Sequence, residues 1–311
     1  MNNKENPPLV SILIPTYNRP HYFKIALESA LAQTYSNIEI IIGDDSTNDE
    51  TEILMRKHYL PSHKNITYIR NASTLGQFHN ALMLLKHSNG EYINFLMDDD
   101  IFYNNKIEKM MSYFEQDLDQ NLSLITSYRT WINENGEFIE EHPTMNRLHN
   151  EDTLLNGRDF GNHMLITGQN IIGEPTTVLF RKHLLTEPFG TLNERNYRCS
   201  VDMASWISLL SKGDAIYITE PLSSFRLHTG QQVHHKFLEG CEDFLHLVLI
   251  SQKYGFLQDV TDYRTSLLKA YEWYKHAVKF YEIYPSLIPS ADTHVRLSRC
   301  SNIIIKELNT K

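Results

Sequence analysis

The sequence predicts an α/β fold, with a mostly parallel central sheet flanked by helices and followed by a helical C-terminal extension. Between residues 9 and 96, short apolar runs alternate with stretches whose apolar residues recur at helical spacing. Strands and helices in this order form right-handed crossovers, so the strands pair in parallel and helices cover both faces of the sheet. From residue 232 onward the pattern is helical, with breaks at Pro285 and Pro289.

The individual elements follow from the apolar runs and the turn residues between them. In the N-terminal part, strands are predicted at 9–14, 38–42, 66–69 and 92–97, and helices at 21–33, 49–59 and 75–86. Pro15 is expected to end the first strand, because proline has no N–H to donate to a neighbouring strand. Beyond residue 120, we predict a hairpin of 122–131 and 137–140, a loop-rich stretch to about 173, strands at 176–180, 215–218 and 223–227, and a helix at 202–210.

Composition and charge argue against several classes of protein. Of the 311 residues, 29 are Lys or Arg and 38 are Asp or Glu, so the net charge is −9 and nucleic-acid binding is not expected. Cys199, Cys241 and Cys300 are far apart and odd in number, which argues against a disulfide scaffold and indicates a reducing cytoplasm. We find no apolar signal segment and no run near the roughly 20 apolar residues that span a bilayer. A cytoplasmic protein is expected, with peripheral contact at the inner face of the membrane left open.

Polar segments follow three of the predicted strands, at 15–19, 44–46 and 98–100. Ligands of open parallel sheets bind beyond the carboxyl ends of the strands, so these segments are expected to form one site. Asp98, Asp99 and Asp100 repel each other unless a cation neutralises them, and Mg²⁺ or Mn²⁺ typically binds one or two carboxylates together with substrate phosphates. The alternative is a solvated acidic turn before the helix that starts near residue 104.

The other two segments also have a structural and a functional interpretation. Asp44 and Asp45 are typical of a turn or a helix N-cap, but a carboxylate here also suits a hydrogen bond from a base or a ribose. In the structural interpretation Pro15 only ends a strand, whereas in the functional one Tyr17 offers a ring for base stacking. The chain has no GxGxxG after the first strand and no P-loop pattern, which argues against a dinucleotide site and a P-loop.

Four segments together resemble glycosyltransferase family 2: LVSILIPTYN at 9–18, SALAQTY at 29–35, IEIIIGDDS at 38–46 and GEYINFLMDDD at 90–100. The resemblance is specific in residues 9–102, weaker from there to about residue 230, and absent from the helical tail. It implies a GT-A fold and metal-dependent, inverting transfer of a sugar from a nucleotide-sugar to a hydroxyl of a glycan, a lipid-linked glycan or a protein. It also implies a catalytic domain at 1–230, with a nucleotide-sugar half at about 9–102 and an acceptor half at about 103–230, and a helical region at 231–311.

The resemblance assigns roles to residues of the three strand-end segments and of the start of one helix. Seven residues are expected to contact the nucleotide, with UDP favoured: Pro15, Thr16, Tyr17, Asp44, Asp45, Gly76 and Asp98. Asn80 either flanks the nucleotide or braces its helix. Asp99, Asp100 and His228 are the expected ligands of Mn²⁺ or Mg²⁺, with Asp99 preferred. Many family members carry an aspartate at the position of Met97, so the register of the metal ligands stays open.

Two later segments also resemble family signatures. CSVDMASW at 199–206 resembles the part that supplies the catalytic base, which implies that Asp202 deprotonates the acceptor. Val201 stands where the family has a second acidic residue, and Asp202 acting as a helix N-cap is the simpler interpretation. SFRLH at 224–228 resembles a signature in which Arg226 offsets phosphate charge and His228 contacts the metal or the diphosphate.

Other functions stay open beside this one. A sugar-nucleotide nucleotidyltransferase also brings a metal and a nucleotide to an α/β sheet, although segment 15–19 is not the glycine-rich loop such enzymes carry. A non-catalytic nucleotide-binding or scaffold protein is suggested by Met97 and Val201. His234 and His235 do not match, with His228, the spacing of a standard zinc module. The tail is expected to pack on the catalytic domain, with a homodimer, an acceptor surface and membrane contact as alternatives.

Overall fold

The computed structural model describes residues 7–140, 146–228 and 236–310. These residues form two compact units. The first comprises the described parts of Met1–Leu155, Ile172–Thr186 and Gly213–His228, and the second those of Asn156–Ile171, Glu187–Lys212 and Thr229–Lys311. The domain boundary near residue 230 stays a prediction.

The first unit is built on one mixed sheet, in which the described residues form nine strands. The strands of the chain are β1 (Val10–Thr16), β2 (Ile38–Asp44), β3 (Ile66–Arg70), β4 (Tyr92–Phe95), β5 (Ile101–Phe102), β6 (Leu122–Ile132), β7 (Thr153–Leu155), β8 (Leu179–Arg181), β9 (Thr191–Leu192), β10 (Arg195–Asn196) and β11 (Asp214–Arg226). The order across the sheet is β3-β2-β1-β4-β8-β6-β11-β5, and β7 pairs with β11. β9 and β10 form a separate antiparallel ribbon in the second unit.

The half of the sheet formed by β3, β2, β1 and β4 is parallel, as the alternating apolar pattern predicts. Its crossovers contain the helices α1 (Pro20–Leu31), α2 (Glu50–Leu54) with a π-helical continuation (Met55–Tyr59), and α3 (Gln77–His87), and α4 (Lys106–Gln116) follows β5. Strand and helix side chains bury one apolar core, which includes Ile12, Phe23, Ile40, Leu96 and Met110. This half of the sheet places the ends of β1, β2 and β4 side by side.

The prediction that Pro15 ends the first strand is wrong, because β1 continues to Thr16. The carbonyl of Leu13 accepts the N–H of Leu96 on the β4 side, and alternation along the strand turns Pro15 to that same side. β4 pairs with β1 only as far as Leu13, so no partner strand there requires an N–H from Pro15.

The other half of the sheet mixes strand directions. β8 is antiparallel to β4 and β6, and β11 is parallel to β6 but antiparallel to β5 and β7. The predicted strands at 215–218 and 223–227 are one strand, β11, which passes Pro221 by shifting its register. The predicted hairpin partner at 137–140 does not form a full strand. It pairs with the end of β6 through a bridge between Ile132 and Phe138, and the N–H of Ile139 donates to the carbonyl of Trp131 at 2.9 Å. β8 pairs with β6 only at Leu124 and Ile125, so this short segment meets the edge of β6 that β8 leaves open.

The second unit is mainly helical. Its helices are α5 (Gly157–Thr167), α6 (Val201–Leu210), α7 (Phe237–Ile250), α8 (Val260–Ile283) and α9 (Thr293–Thr310). α5 lies in the stretch predicted as loops, because its glycines lower helix propensity. The side chain of Asn156 caps its first turn, and a Cβ on Gly161 would lie 2.3 Å from the ring of Phe256, so the packing requires glycine there.

The helical C-terminal region is present as expected. α7, α8 and α9 enclose a small core of Leu238, Cys241, Ala277, Tyr281 and Leu297. All three cysteines are free, and burial raises the pKa of the Cys199 thiol to about 12. Within the described residues, none of the helices combines the length and the apolar character needed to cross a bilayer.

Candidate active site

Three polar segments meet where β1, β2 and β4 end. These strands are parallel neighbours, so their carboxyl ends lie at one edge of the sheet. The hydroxyl of Thr16 donates to Asp98 Oδ2 at 2.9 Å, and the N–H of Asn18 donates to Ser46 Oγ at 2.8 Å. The three segments singled out in the sequence are therefore in direct contact, and we call this place the strand-end site (residues 15–19, 44–46 and 98–100).

Asp98 is buried at the centre of the strand-end site. In addition to the hydroxyl of Thr16, it accepts the N–H of Tyr17 at 3.3 Å and Nη1 of Arg19 at 3.4 Å. Burial and the neighbouring Asp99 raise the pKa of the Asp98 carboxyl to about 7, while Arg19 and the hydrogen bonds act in the opposite direction. Asp98 thus joins the ends of β1 and β4.

Asp99 contacts a guanidinium and an imidazole. Its Oδ2 accepts Nη1 of Arg19 at 2.7 Å and lies 2.9 Å from Nε2 of His228. The His228 side chain is 8% exposed and the Asp99 side chain 14%. A carboxylate and an imidazole separated by 129 residues in sequence therefore meet at this site.

Asp100 is sealed inside the first unit, with 1% of its surface exposed. Its Oδ2 accepts the hydroxyl of Thr176, and its Oδ1 accepts the N–H of Arg226 at 3.0 Å. Burial, followed by the charges of Asp99 and Glu174, raises the pKa of the Asp100 carboxyl well above its usual range. Both oxygens of Asp100 are therefore used inside the fold.

The donor chemistry at Asp99 and His228 suits the divalent cation that the family resemblance implies. Carboxylate oxygen is the ligand that Mg²⁺ and Mn²⁺ prefer, and an imidazole nitrogen favours a transition metal over Mg²⁺. In the described part of the chain, no group of three or more His, Cys, Asp or Glu side chains is arranged to hold a metal. A two-residue set matches a cation shared with substrate phosphates. Asp100 fits less well than Asp99, because its oxygens already accept hydrogen bonds from Thr176 and Arg226.

Asp44 ends β2 as a fully buried carboxylate. Its Oδ1 accepts the N–H of Ser46 at 2.9 Å, and its Oδ2 accepts the hydroxyl of Tyr68 and Nη1 of Arg70, the latter at 3.0 Å. Asp44 therefore fastens the end of β2 to β3. Sequence reasoning missed Tyr68 and Arg70, although their two-residue spacing puts both on one face of β3.

Asp45 holds the segment that begins α3. Its carboxylate accepts the N–H groups of Leu75 and Gly76, each at 2.7 Å, and the side-chain amide of Asn71 at 3.0 Å. Gly76 has a φ of +81°, a left-handed conformation that glycine adopts without strain. Asp45 and Gly76, both expected at the nucleotide, are thus in contact with each other.

The remaining predicted nucleotide contacts differ in exposure. Pro15 is buried within β1, whereas the Tyr17 side chain is 47% exposed. Asn80 is 2% exposed and donates to the carbonyl of Gly43 at 2.8 Å. A Cβ on Gly43 would lie 2.3 Å from Asn80 Oδ1, so Asn80 packs tightly on β2 and has a bracing role.

Arg226, which the resemblance assigns to phosphate charge, is buried. It is 1% exposed, and its guanidinium donates to the main-chain carbonyls of Asp99 at 2.7 Å, Asn133 at 3.0 Å and Glu134 at 3.2 Å. The guanidinium also lies 4.7 Å from the ring of Tyr22. Arg226 therefore stabilises the backbone at Asp99. His234 and His235, weighed for zinc, fall outside the described residues.

Asp202 belongs to the second unit, where it lies in the first turn of α6. The N-cap position is Ser200, so Asp202 is not the cap residue. Its Oδ1 accepts the N–H of Met203 at 2.8 Å, and its Oδ2 accepts Nδ2 of Asn170 at 2.7 Å. Asn170, which sequence reasoning missed, orients this carboxylate.

Asp243 anchors the segment that leads into α6. This carboxylate of α7 is fully buried and accepts the N–H groups of Arg198 at 2.8 Å, Cys199 at 2.7 Å and Ser200 at 3.2 Å. Its second oxygen accepts Nη2 of Arg195 at 2.9 Å. No motif in the sequence singled out Asp243, because its four partners are more than 40 residues away.

The fold defines the class of this protein. The structure matches S. aureus TarS, residues 1–349 in complex with UDP-GlcNAc, with a TM-score of 0.66 and 14% identity over 96% of this chain and 81% of that one. A match at this identity shows the fold alone, and it confirms the predicted GT-A architecture. The mannosyltransferase PcManGT of Pyrobaculum calidifontis, solved with GDP-Man and Mn²⁺, also matches, with a TM-score of 0.50.

The chain belongs to glycosyl transferase family 2, whose model matches residues 11–185. An uncharacterized glycosyltransferase of Rickettsia felis is 32% identical over 71% of this chain, although this match spans only 33% of that protein. WfaP of Escherichia coli, a UDP-Glc:α-D-GlcNAc-diphosphoundecaprenol β-1,3-glucosyltransferase, is 29% identical over 74% of this chain and 82% of its own length. Putative TuaG of Bacillus subtilis, a teichuronic acid biosynthesis glycosyltransferase, is 27% identical over 71% and 79%.

Proposed function

We propose that this chain transfers a sugar from a nucleotide-sugar, with UDP as the favoured nucleotide, to an acceptor hydroxyl, with inversion at the sugar. The contact of Asp99 with His228, beside Thr16 and Asp98, carries the proposal. It puts a carboxylate and an imidazole at the sheet edge where α/β proteins bind ligands. TarS, which shares the fold, was solved with UDP-GlcNAc and with UDP, and this supports a uridine nucleotide.

The nucleotide base is assigned to the ends of β1 and β2. The exposed ring of Tyr17 is suited to stacking on a base. A carboxylate has about four acceptor positions, and Asp45 uses two on Oδ1, for Asn71 and Leu75, and one on Oδ2, for Gly76. Oδ2 of Asp45 therefore has the capacity to accept one further hydrogen bond from a base N–H.

Asp99 and His228 are assigned to a divalent cation, Mn²⁺ in preference to Mg²⁺, shared with the donor diphosphate. A cation bound there would offset the charge that develops on the leaving nucleoside diphosphate. The neighbouring carboxylates hold the backbone of Asp99 in place, because Asp98 is tied to β1 and Asp100 to β11. Arg226 adds a third support through the carbonyl of Asp99.

Asp202 is assigned as the base that removes the proton from the acceptor hydroxyl. The N–H of Met203 and the amide of Asn170 each hold one of its oxygens, so the carboxylate has a fixed direction. Fixed orientation matters, because general-base catalysis requires hydrogen-bond reach to the proton that is removed. This assignment comes from the family resemblance and is supported by that geometry.

The acceptor is proposed to be a lipid-linked glycan. WfaP is named for transfer to a GlcNAc unit on diphosphoundecaprenol, and TuaG for teichuronic acid biosynthesis. We accordingly place the chain in the cytoplasm, with action at the inner face of the membrane, where a polyprenyl-linked substrate is presented.

Calorimetric titration of UDP tests the donor site, with and without MnCl₂. UDP is expected to bind more tightly with Mn²⁺, and Asp99→Asn is expected to lose about tenfold or more of that gain, because the variant removes a charged ligand. Asp119→Asn, which changes an exposed acid of the same unit, is the matched control and is expected to behave as wild type. Equal UDP binding by wild type and Asp99→Asn would contradict the metal assignment, and no UDP binding at all would contradict the donor.

A further inference from the structure

Arg19 contacts Asp99, the carboxylate at which a divalent cation is proposed to bind, and the neighbouring Asp98. Its Nη1 lies 2.7 Å from Asp99 Oδ2 and 3.4 Å from Asp98 Oδ1. The same Asp99 oxygen is the one that contacts Nε2 of His228. The guanidinium therefore lies against the oxygen that a metal shared by Asp99 and His228 would use.

Charge makes the two occupants incompatible. Arginine stays protonated at any pH at which a protein is folded, so Arg19 brings a permanent positive charge to Asp98 and Asp99. A divalent cation on Asp99 would meet that charge at short range and would compete for the same oxygen. Metal binding at Asp99 consequently requires Arg19 to leave, or at least to shift away from Oδ2.

We propose that Arg19 is a built-in counter-cation that weakens binding of free divalent metal at Asp99 until a nucleoside diphosphate draws the guanidinium away. The inference rests on the proposed function, because it needs the diphosphate site beside Asp99. It makes Arg19 a regulator of the order of binding: the metal enters with the nucleotide and is held poorly without it.

The chemistry of the guanidinium explains why a diphosphate would release it. Arginine binds phosphate through two parallel hydrogen bonds, in the same way as it binds carboxylate. The Arg19 side chain is 31% exposed, whereas the Asp98 and Asp99 side chains are 8% and 14% exposed, so the arginine is the most accessible partner of this group. Arg19 is the N-cap residue of α1: its carbonyl accepts the N–H of Phe23 at 2.9 Å, but its side chain makes no capping hydrogen bond, so the side chain can change direction without breaking the helix.

Binding of metal and nucleotide should then be coupled through Arg19. If UDP raises the affinity for Mn²⁺ by some factor, linkage requires that Mn²⁺ raises the affinity for UDP by the same factor. Part of this coupling comes from direct contact between phosphate and metal, which any variant retains. The part that comes from Arg19 is lost when its charge is removed.

Titration of MnCl₂ alone into wild type and Arg19→Gln tests the inference directly. Arg19→Gln is expected to bind Mn²⁺ about tenfold or more tightly without nucleotide, because two carboxylates lose their internal cation. The further gain in Mn²⁺ affinity caused by UDP is expected to be smaller in Arg19→Gln than in wild type. Arg56→Gln is the matched control, since it removes an equal charge from an exposed ion pair with Glu52 in the same unit.

Arg19→Lys and thermal melting separate this role from a purely structural one. The lysine variant keeps the charge, so its affinity for Mn²⁺ alone is expected to stay within about threefold of wild type. Arg19→Gln is expected to melt at a lower temperature without metal and to recover with MnCl₂, which a structural ion pair would not show. If Arg19→Gln does not fold, Arg19→Lys still tests the inference, because tightened Mn²⁺ binding by a variant that keeps the charge overturns it.

The outcomes distinguish this inference from the proposed function. Equal Mn²⁺ affinity in wild type and Arg19→Gln, together with intact Mn²⁺-dependent UDP binding, overturns the role of Arg19 and leaves the donor site standing. Absence of both Mn²⁺ and UDP binding in every variant overturns both. Equal tightening in Arg19→Gln and Arg56→Gln overturns the inference as well, because it would show only the effect of net charge.

Discussion

Adjacent aspartates of this chain have different environments that the sequence does not distinguish. Asp99 contacts a guanidinium and an imidazole, whereas Asp100 gives both oxygens to a hydroxyl and a backbone N–H inside the fold. The difference arises from partners just before α1, in and just after β11, and in the segment around Thr176. At the scale of single residues, the sequence therefore predicts the acidic triplet but not which of its three carboxylates contacts which partner.

Lys106, which begins α4, carries a buried amino group with a testable effect on stability. It is fully buried, its Nζ donates to the carbonyl of Thr177 at 3.0 Å, and it lies 5.1 Å from the centre of the Phe102 ring. Burial lowers the pKa of the Lys106 ammonium to about 7, with Glu174 acting in the opposite direction. An unfolded lysine titrates near 10.4.

The free energy of unfolding is expected to increase as pH rises from 7 to 9, because unfolding takes up a proton at Lys106 in this window. The folding constant should gain close to tenfold per pH unit from this group, and nothing from it below pH 7. Urea unfolding of Lys106→Met should lack this slope, while Lys64→Met, at an exposed position, should keep it. Parallel pH profiles for wild type and Lys106→Met would show that the lysine is not neutral in the folded state.

At the scale of elements, the strands of the parallel half and most helices were predictable, because their apolar spacing is local. The errors have tertiary causes. β1 passes Pro15 because β4 ends first, and the segment at 137–140 pairs only with the last residues of β6, beyond the part that β8 pairs with. α5 was not predicted because its glycines lower helix propensity, although Gly161 is required by its close packing against Phe256.

The next prediction concerns Asp243, through which α7 holds the segment that leads into α6. Asp243 of α7 holds three consecutive N–H groups that lead into α6, the helix of Asp202. Asp243→Asn is expected to lower the rate of UDP release from a UDP-sugar by about tenfold and to leave UDP affinity near that of wild type, because it loosens only the segment before Asp202. The same measurement on Glu272→Gln, an exposed acid of α8, is the control.

A merely structural role for Asp243 would be revealed by a different pattern. In that case Asp243→Asn would lower the thermal midpoint without changing the turnover of the molecules that stay folded. Turnover should therefore be measured well below the midpoint and normalised to the folded fraction.

At the scale of the whole molecule, the proposed function puts donor binding and proton removal on different segments of the chain. Asp202→Asn is expected to lower transfer by about 10²–10⁴-fold, because it removes the proposed base, and to leave Mn²⁺-dependent UDP binding intact. Asp159→Asn, an acid in the first turn of α5, is the matched control for a carboxylate near a helix N-terminus of the same unit. Product formation from a UDP-sugar and binding by calorimetry give the two readouts.

Wild-type turnover in Asp202→Asn would contradict the base assignment while leaving the donor site untouched. Loss of UDP binding in Asp202→Asn would instead show that this residue supports the nucleotide. An Asp202→Asn protein that binds UDP and transfers nothing, beside an active wild type, is the expected result.

The sequence by itself determined the α/β class, the helical tail, the family and the three strand-end segments, because apolar periodicity and short motifs are properties of neighbouring residues. Only the tertiary structure decided which carboxylates are buried and fully hydrogen-bonded, which one lies beside His228, and that Arg19 already binds Asp99. The physical reason is distance along the chain: Asp99 meets Arg19 from 80 residues before it and His228 from 129 residues after it. Hydrogen bonding and burial depend on such distant partners, and no local pattern records them.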